Sequence, residues 1–247
     1  MRGPVYGIVS MVVIVVAACA PPPEAPAPRV ATATPVPAAT AGQPAAAAPV
    51  TEAAPASPPI EPKDAYEALV AKAQAGEPVD FYQMRMAYLE SPVFLRERGN
   101  SDEMIALHNK MFKAMHDRQP EVVFDVAEQT LKRLYIDLEA QKGRYQSCQI
   151  LGRPGCARFE EIERGLLRSV VRGHDGKTCP TAWKVVLVPE EYFVLRMIDL
   201  RPNQQSLITD GNLCDKLDVV DEHGTSRTIY FDVGAMLDAS ERAHHPK

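Results

Sequence analysis

An α+β fold is predicted by this 247-residue sequence, with helices first and a small antiparallel four-stranded sheet at the C-terminal end. Three observations carry that prediction. Apolar residues recur at helical spacing from Tyr66 to about Val170. From Trp183 onward the period shortens to that of strands. Residues 20–62 show neither period, which leaves 63–247 as one domain long enough to bury a core.

The helices follow in order. Tyr66, Leu69, Val70 and Ala73 share one face, and Gly76 is a C-terminal stop. Asp80 can cap a second, short helix carrying Phe81, Met84 and Tyr88, which ends before Ser91-Pro92. Ser101 caps a third, with Asp102 and Glu103 in its first turn, where the helix dipole favours acids. Its stripe is Met104, Leu107, Met111 and Met115. Pro120 suits a helix start, and Val123, Ala127, Thr130, Leu131 and Leu134 follow. After a break near Tyr135 the helical pattern runs through Leu138 to about Tyr145. A last helix carries Phe159, Ile162, Leu166 and Val170, with Glu160 and Arg164 at ion-pair spacing. Between about 101 and 172 the helix pairs have a tetratricopeptide-like rhythm, though one period is not an array.

The four expected strands are Trp183–Val188, Tyr192–Ile198, Leu213–Val220 and Arg227–Val233. Pro189-Glu190-Glu191 reads as the turn between the first two, Asp199–Asn212 as a loop, and Asp221-Glu222-His223-Gly224 as a hairpin loop.

The start of the chain points to export. Arg2 precedes a mostly apolar run, Val5–Ala18, of roughly 14 residues, too short to span a bilayer. Val16-Ala17-Ala18-Cys19 resembles the lipobox of bacterial lipoproteins, which implies a signal peptide over 1–18 and acylation of Cys19. The alternative is an ordinary secretory signal that contains a cysteine. Ala20 is not aspartate, which by the same resemblance leans toward an outer membrane, facing the periplasm, if the organism has two membranes. Residues 19–62 form the lipidated cysteine and a Pro/Ala-rich tether with 13 of the 22 prolines. Such composition buries too little apolar surface to fold. Extended as polyproline II it reaches on the order of 130 Å.

Four cysteines remain: Cys148, Cys156, Cys179 and Cys214. In an exported domain an even number reads as disulfides, with three pairings open. Sequence spacing favours Cys148–Cys156 and Cys179–Cys214, against one bridge and two buried thiols. A metal site is disfavoured because no pair has CxxC spacing.

A run of segments in the folded part is similar to an uncharacterised bacterial family, domain of unknown function 4919. They are Phe81–Tyr88, Leu134–Ala140, Gly165–Val170, Gly173, Asp175–Lys177, Ala182–Val186, Glu190–Leu195, Gln205–Ile208, Cys214-Asp215 and Tyr230–Val233. The resemblance spans nearly all of 63–235 and implies no activity. The resemblance does not carry the cysteine pairing, which rests on spacing alone.

No catalytic constellation is legible. Glu190-Glu191 invites an acid/base or metal reading, but residues of a tight turn point different ways. Ser169, His174 and Asp175 lack a nucleophile-elbow motif, and Ser169 sits in a helical pattern. His108 and His116 are two turns apart with Phe112 between them, so surface histidines are expected. The Arg164, Arg168, Arg172 row suits a solvated face or nearby carboxylates. The formal net charge is −5 with scattered basic residues, which excludes a nucleic-acid footprint. The expectation is therefore a membrane-tethered envelope lipoprotein acting as a non-catalytic binding or scaffolding module. It would have an envelope protein as partner and need no cofactor or metal. The alternative is an envelope hydrolase with a site assembled from distant loops. A candidate ligand surface is expected where Arg168 lies near Glu190, Glu191 and Arg196.

Overall fold

A computed structural model describes residues 64–99, 101–209 and 211–244. The signal segment, Cys19 and the tether lie outside the described residues.

The first two helices begin as their capping residues dictate. The Asp64 carboxylate accepts from Glu67 N at 2.8 Å and opens α1 (Ala65–Ala75), which Gly76 closes at φ 82°. Asp80 accepts from Tyr82 N at 2.9 Å and opens α2 (Phe81–Leu89). α2 ends before Ser91-Pro92 as expected, and those residues start a further short helix, α3 (Pro92–Gly99), which the sequence pattern does not announce. Ser91 Oγ accepts from Phe94 N at 3.3 Å, and proline is tolerated in a first turn because its missing N–H has no intrahelical partner there.

Four longer helices follow: α4 (Ser101–His116), α5 (Pro120–Arg133), α6 (Leu138–Ile150) and α7 (Cys156–Val170). Each packs on the next. Met111, Val123, Val126, Ala127, Leu131 and Ala140 form a small core among α4, α5 and α6. The break between α5 and α6 is buried, and Tyr66 Oη accepts from Tyr135 N at 3.1 Å across from α1. Glu160 and Arg164 do pair, at 2.6 Å.

A 3-10 turn (Cys179–Thr181) leads to β1 (Trp183–Lys184), then α8 (Val188–Met197), β2 (Arg201–Ile208), β3 (Cys214–Val220), β4 (Ser226–Asp232) and α9 (Gly234–His244). Among the described residues there are thus nine α-helices and a four-stranded sheet ordered β1-β4-β3-β2. The large core joins both layers, from Met84 and Tyr88 on α2 and Ile162 and Leu166 on α7 to Phe193 on α8 and Leu217 and Phe231 in the sheet.

The sheet is mixed, not antiparallel throughout. β2, β3 and β4 pair antiparallel, but β1 pairs parallel with β4, Trp183 opposite Phe231 and Lys184 opposite Asp232. The cause lies at Val188–Met197, expected to hold a turn and a second strand. It is a helix with proline in its first turn and Glu190 and Glu191 beside it, an arrangement the dipole favours. A helical crossover replaces a hairpin, so β1 and β2 run the same way. The strand expected over 192–198 is displaced to 201–208, read as loop. There seven of eight residues are exposed, because β2 is the edge of the sheet.

Two disulfides brace the fold, Cys148–Cys156 and Cys179–Cys214, the pairs that spacing favours. The first closes the α6–α7 connection. The second ties the 3-10 turn to the start of β3. With sequence separations of 8 and 35, loop-closure entropy assigns them about 2.5 and about 3.8 kcal/mol.

Candidate functional site

The longest charged side chain in the interior is Arg85, on α2, fully withdrawn from solvent. Its guanidinium is held as a fork: Nε donates to Glu190 Oε1 at 2.9 Å and Nη2 to Glu190 Oε2 at 2.6 Å. Nη2 also donates to the Lys184 carbonyl at 2.8 Å, and Nη1 to Ser169 Oγ at 3.3 Å. Glu190 Oε2 takes a further bond from Val186 N at 2.8 Å. One buried ion pair therefore ties α2, α7, α8 and the chain around β1 together. Every Arg85 nitrogen has a partner, as a buried guanidinium requires.

Beside it lies a second acidic group with a different balance. Glu191 on α8 is 0% exposed, and Asp215 on β3 is buried in the series with Leu217 and Val219. Gln205 of β2 covers both. Its Nε2 donates to Asp215 Oδ2 at 2.7 Å and lies 3.4 Å from Glu191 Oε2. Tyr192 Oη donates to Gln205 Oε1. Glu191 Oε1 has no hydrogen-bond partner. Burial first, then Asp215 and Glu190, push the Glu191 carboxyl up to about 8. The sequence reading missed this pair. The available signal was Pro189 followed by two acids and an apolar run, which marks a helix start as well as a turn.

The expected ligand surface is not assembled as one face. Arg168 is exposed on α7, while its neighbour Ser169 is the residue that turns inward to Arg85. Arg196 is exposed and pairs with Glu139 of α6. Glu190 and Glu191 are interior. The reason is helical geometry: in α8, Glu190 and Glu191 fall on the core-facing side of the first turn, whereas a hairpin turn would have put them in water.

Ser169, His174 and Asp175 do not converge. Ser169 Oγ donates to Leu166 O at 2.6 Å, and Asp175 accepts from Thr181 Oγ1 at 2.6 Å. Thr181, the Lys177 amide and the Lys177 side chain hold Asp175 below the usual carboxylate range. His174 is exposed. Of the two helix-spaced histidines, His116 is exposed, but His108 is half-buried and bonds Asp137 Oδ2 at 2.9 Å. Burial opposes charge on that ring, yet the Asp137 bond and charge prevail and raise its pKa. Asp137 also caps α6 through Ala140 N at 2.8 Å. Of the arginine row, Arg164 pairs with Glu160 and Arg172 with Asp80, while Arg168 makes no ion pair among the described residues. Also among these residues, no cluster of three or more His, Cys, Asp or Glu is placed to hold a metal ion, and no helix is long and apolar enough to cross a membrane.

The helical layer offers an apolar groove of about 400 Å³, where the end of α4, the start of α5 and the end of α6 meet. Met115, Pro120, Val123 and Ile150 line it, with Arg118 at its edge. Ile150 is 73% exposed, which is unusual for an isoleucine at a groove. Arg118 makes no ion pair among the described residues.

A family model described as Domain of unknown function (DUF4919) matches residues 96–242, from within α3 to within α9. No curated protein and no solved structure matches the chain.

Proposed function

This chain belongs to the family described as Domain of unknown function (DUF4919), and we propose that it is a lipid-anchored cell-envelope protein whose folded domain binds a protein partner and does not catalyse. The anchor is Cys19, after a signal peptide over 1–18. Residues 19–62 are the tether and 63–247 the domain. In an organism with two membranes it faces the periplasm from the outer one. The two disulfides support an oxidising compartment.

The observation that carries the binding reading is the groove beside Ile150. The successive packing of α4 to α7 supports a tetratricopeptide-like layer, an architecture whose grooves take peptide segments. Apolar walls with Arg118, which makes no ion pair among the described residues, in the lining fit a partner segment that presents an apolar side chain beside a carboxylate. The tether lets such a module reach a partner away from its membrane.

The test is crosslinking in intact envelopes, with the wild type compared with Ile150→Asp and Arg118→Glu. Both positions are exposed, so both variants should fold. A partner recovered with wild type and lost with both supports the groove. An unchanged partner profile removes it. The anchor is tested separately: Cys19→Ala should leave the protein uncut or unlipidated, and wild type that leaves membranes in high salt without detergent would refute lipidation.

The hydrolase alternative has one observation in its favour, the raised pKa of Glu191 beside Asp215. Both carboxyls lie beneath Gln205 and are bonded into the fold. Turnover of an envelope polymer that is lost in Glu191→Gln, with the fold intact, would favour it.

A further inference from the structure

We propose that Glu191 and Asp215 share one proton in a buried acid pair that latches the edge strand β2 to helix α8 through Gln205, and that a rising pH progressively releases that strand.

The geometry allows one negative charge at this place. Asp215 is served as an anion, because Gln205 Nε2 donates to it at 2.7 Å. Glu191 has no such support: Oε1 is without a partner and Oε2 has only the long 3.4 Å approach of the same amide. A buried carboxylate left in that state is costly. A protonated Glu191 is not, because its hydroxyl donates to Asp215. Glu191 is then neutral and Asp215 charged, with Gln205 bridging them.

The surroundings supply no countercharge. From its own helix, Glu191 faces Glu190, whose charge is already taken by Arg85 of α2. β3 presents Asp215, and the next residue, Lys216, pairs with Asp218. β2 presents the neutral Gln205. Its one charged residue, Arg201, is exposed at the far end of the strand. α6 brings Lys142 to Met197 Sδ and over the Phe193 ring, and Glu139 to Arg196, further along α8. Among the described residues no cation is placed to accept a second charge at this pair.

β2 is held by its ladder with β3 and by few buried side chains. It borders only β3, its side chains are almost all exposed, and a register shift lies between Pro202 and Gln204. Its side-chain links to α8 run through Gln205, to Tyr192 and to the acid pair. When β2 lifts, water reaches Glu191, its carboxyl returns toward the ordinary value of 4.5, and the proton passes to solvent. The closed form binds one more proton than the open form between that value and about 8. Opening therefore grows with pH across this window and levels off above it.

Amide hydrogen exchange of residues 204–208, corrected for base catalysis, reads this opening in the full domain. In wild type the opening constant should rise by up to about tenfold per pH unit from pH ~5 to ~7.5. Glu191→Gln, whose amide donates to Asp215 at every pH, should hold it constant. A carbon-detected titration of Glu191 in wild type needs no variant and should find its midpoint well above that of ordinary glutamates. Equal pH slopes in wild type and Glu191→Gln, or an ordinary Glu191 midpoint, would overturn the latch.

Discussion

Arg85 and Glu190 show how one residue pair can look functional and be structural. Two opposite charges with almost no exposure, joined by a fork and three further bonds, resemble the polar heart of an active site. Yet each hydrogen-bonding atom is used up by the fold. Taking both charges out of water costs about as much as their attraction returns, so the pair adds little net stability, while breaking it leaves a stranded ion. Arg85→Met should therefore lower the unfolding free energy by about 3–5 kcal/mol in urea titrations. Adding Glu190→Met to it should restore much of that loss. A single substitution that costs under ~1 kcal/mol would show that water reaches the pair. Glu191, one residue on, differs because nothing nearby balances it. Adjacent glutamates thus differ: one is tied into an ion pair, and the other has its pKa pushed up by burial and neighbouring acids.

At the scale of elements, the decisive contacts are those in which one segment overrides another's local preference. Gly165 sits in the middle of α7, where glycine costs about 1 kcal/mol relative to alanine. Its use is the Phe81 ring, which lies against the position a methyl group would occupy. Gly165→Ala should destabilise the domain by about 1–3 kcal/mol despite its better helix propensity, and Phe81→Leu in the same chain should recover part of that. Thermal unfolding of wild type and the two variants checks this. The same kind of override limits what the sequence discloses. The helices with side-chain or proline starts at Asp80 and Pro120 are legible because their signals are local. Tyr192-Phe193-Val194-Leu195 has the composition of a strand and is helical. Its β-preferring residues are met on several sides by the core, and burial outweighs propensity. β2, with polar and exposed residues on both faces, has no alternation to read. The acid pair joins Glu191 of the misread helix to Asp215 under Gln205 of the misread strand, so it could not be found before α8 and β2 were placed. The two disulfides needed only sequence spacing and an oxidising compartment.

The described domain is a helical layer closed by a sheet that the chain completes from both ends of its last third. β1 has no strand partner until β4 exists, since Trp183 pairs with Phe231 and Lys184 with Asp232. In chain order β2 and β3 come first, and the Cys179–Cys214 bridge lies wholly upstream of β4. Non-local parallel pairings are slow steps because loop closure precedes any reward. The chain's single tryptophan is Trp183, and its indole meets the Phe231 ring edge-on with centroids 5.8 Å apart. Nature has thus placed a fluorophore at the last joint to close. In refolding, tryptophan emission should reach its native value later than far-ultraviolet helicity, and a chain ending at residue 225, which lacks α9, should keep α1 to α8 yet show a solvent-like indole spectrum. Simultaneous recovery of both signals would mean that sheet and helices assemble as one unit. If they separate, the chain passes through a stage in which α1 to α8 are formed while the free edge of β1 still waits for β4, and that interval is when an export chaperone or a sister chain would find a strand to pair with.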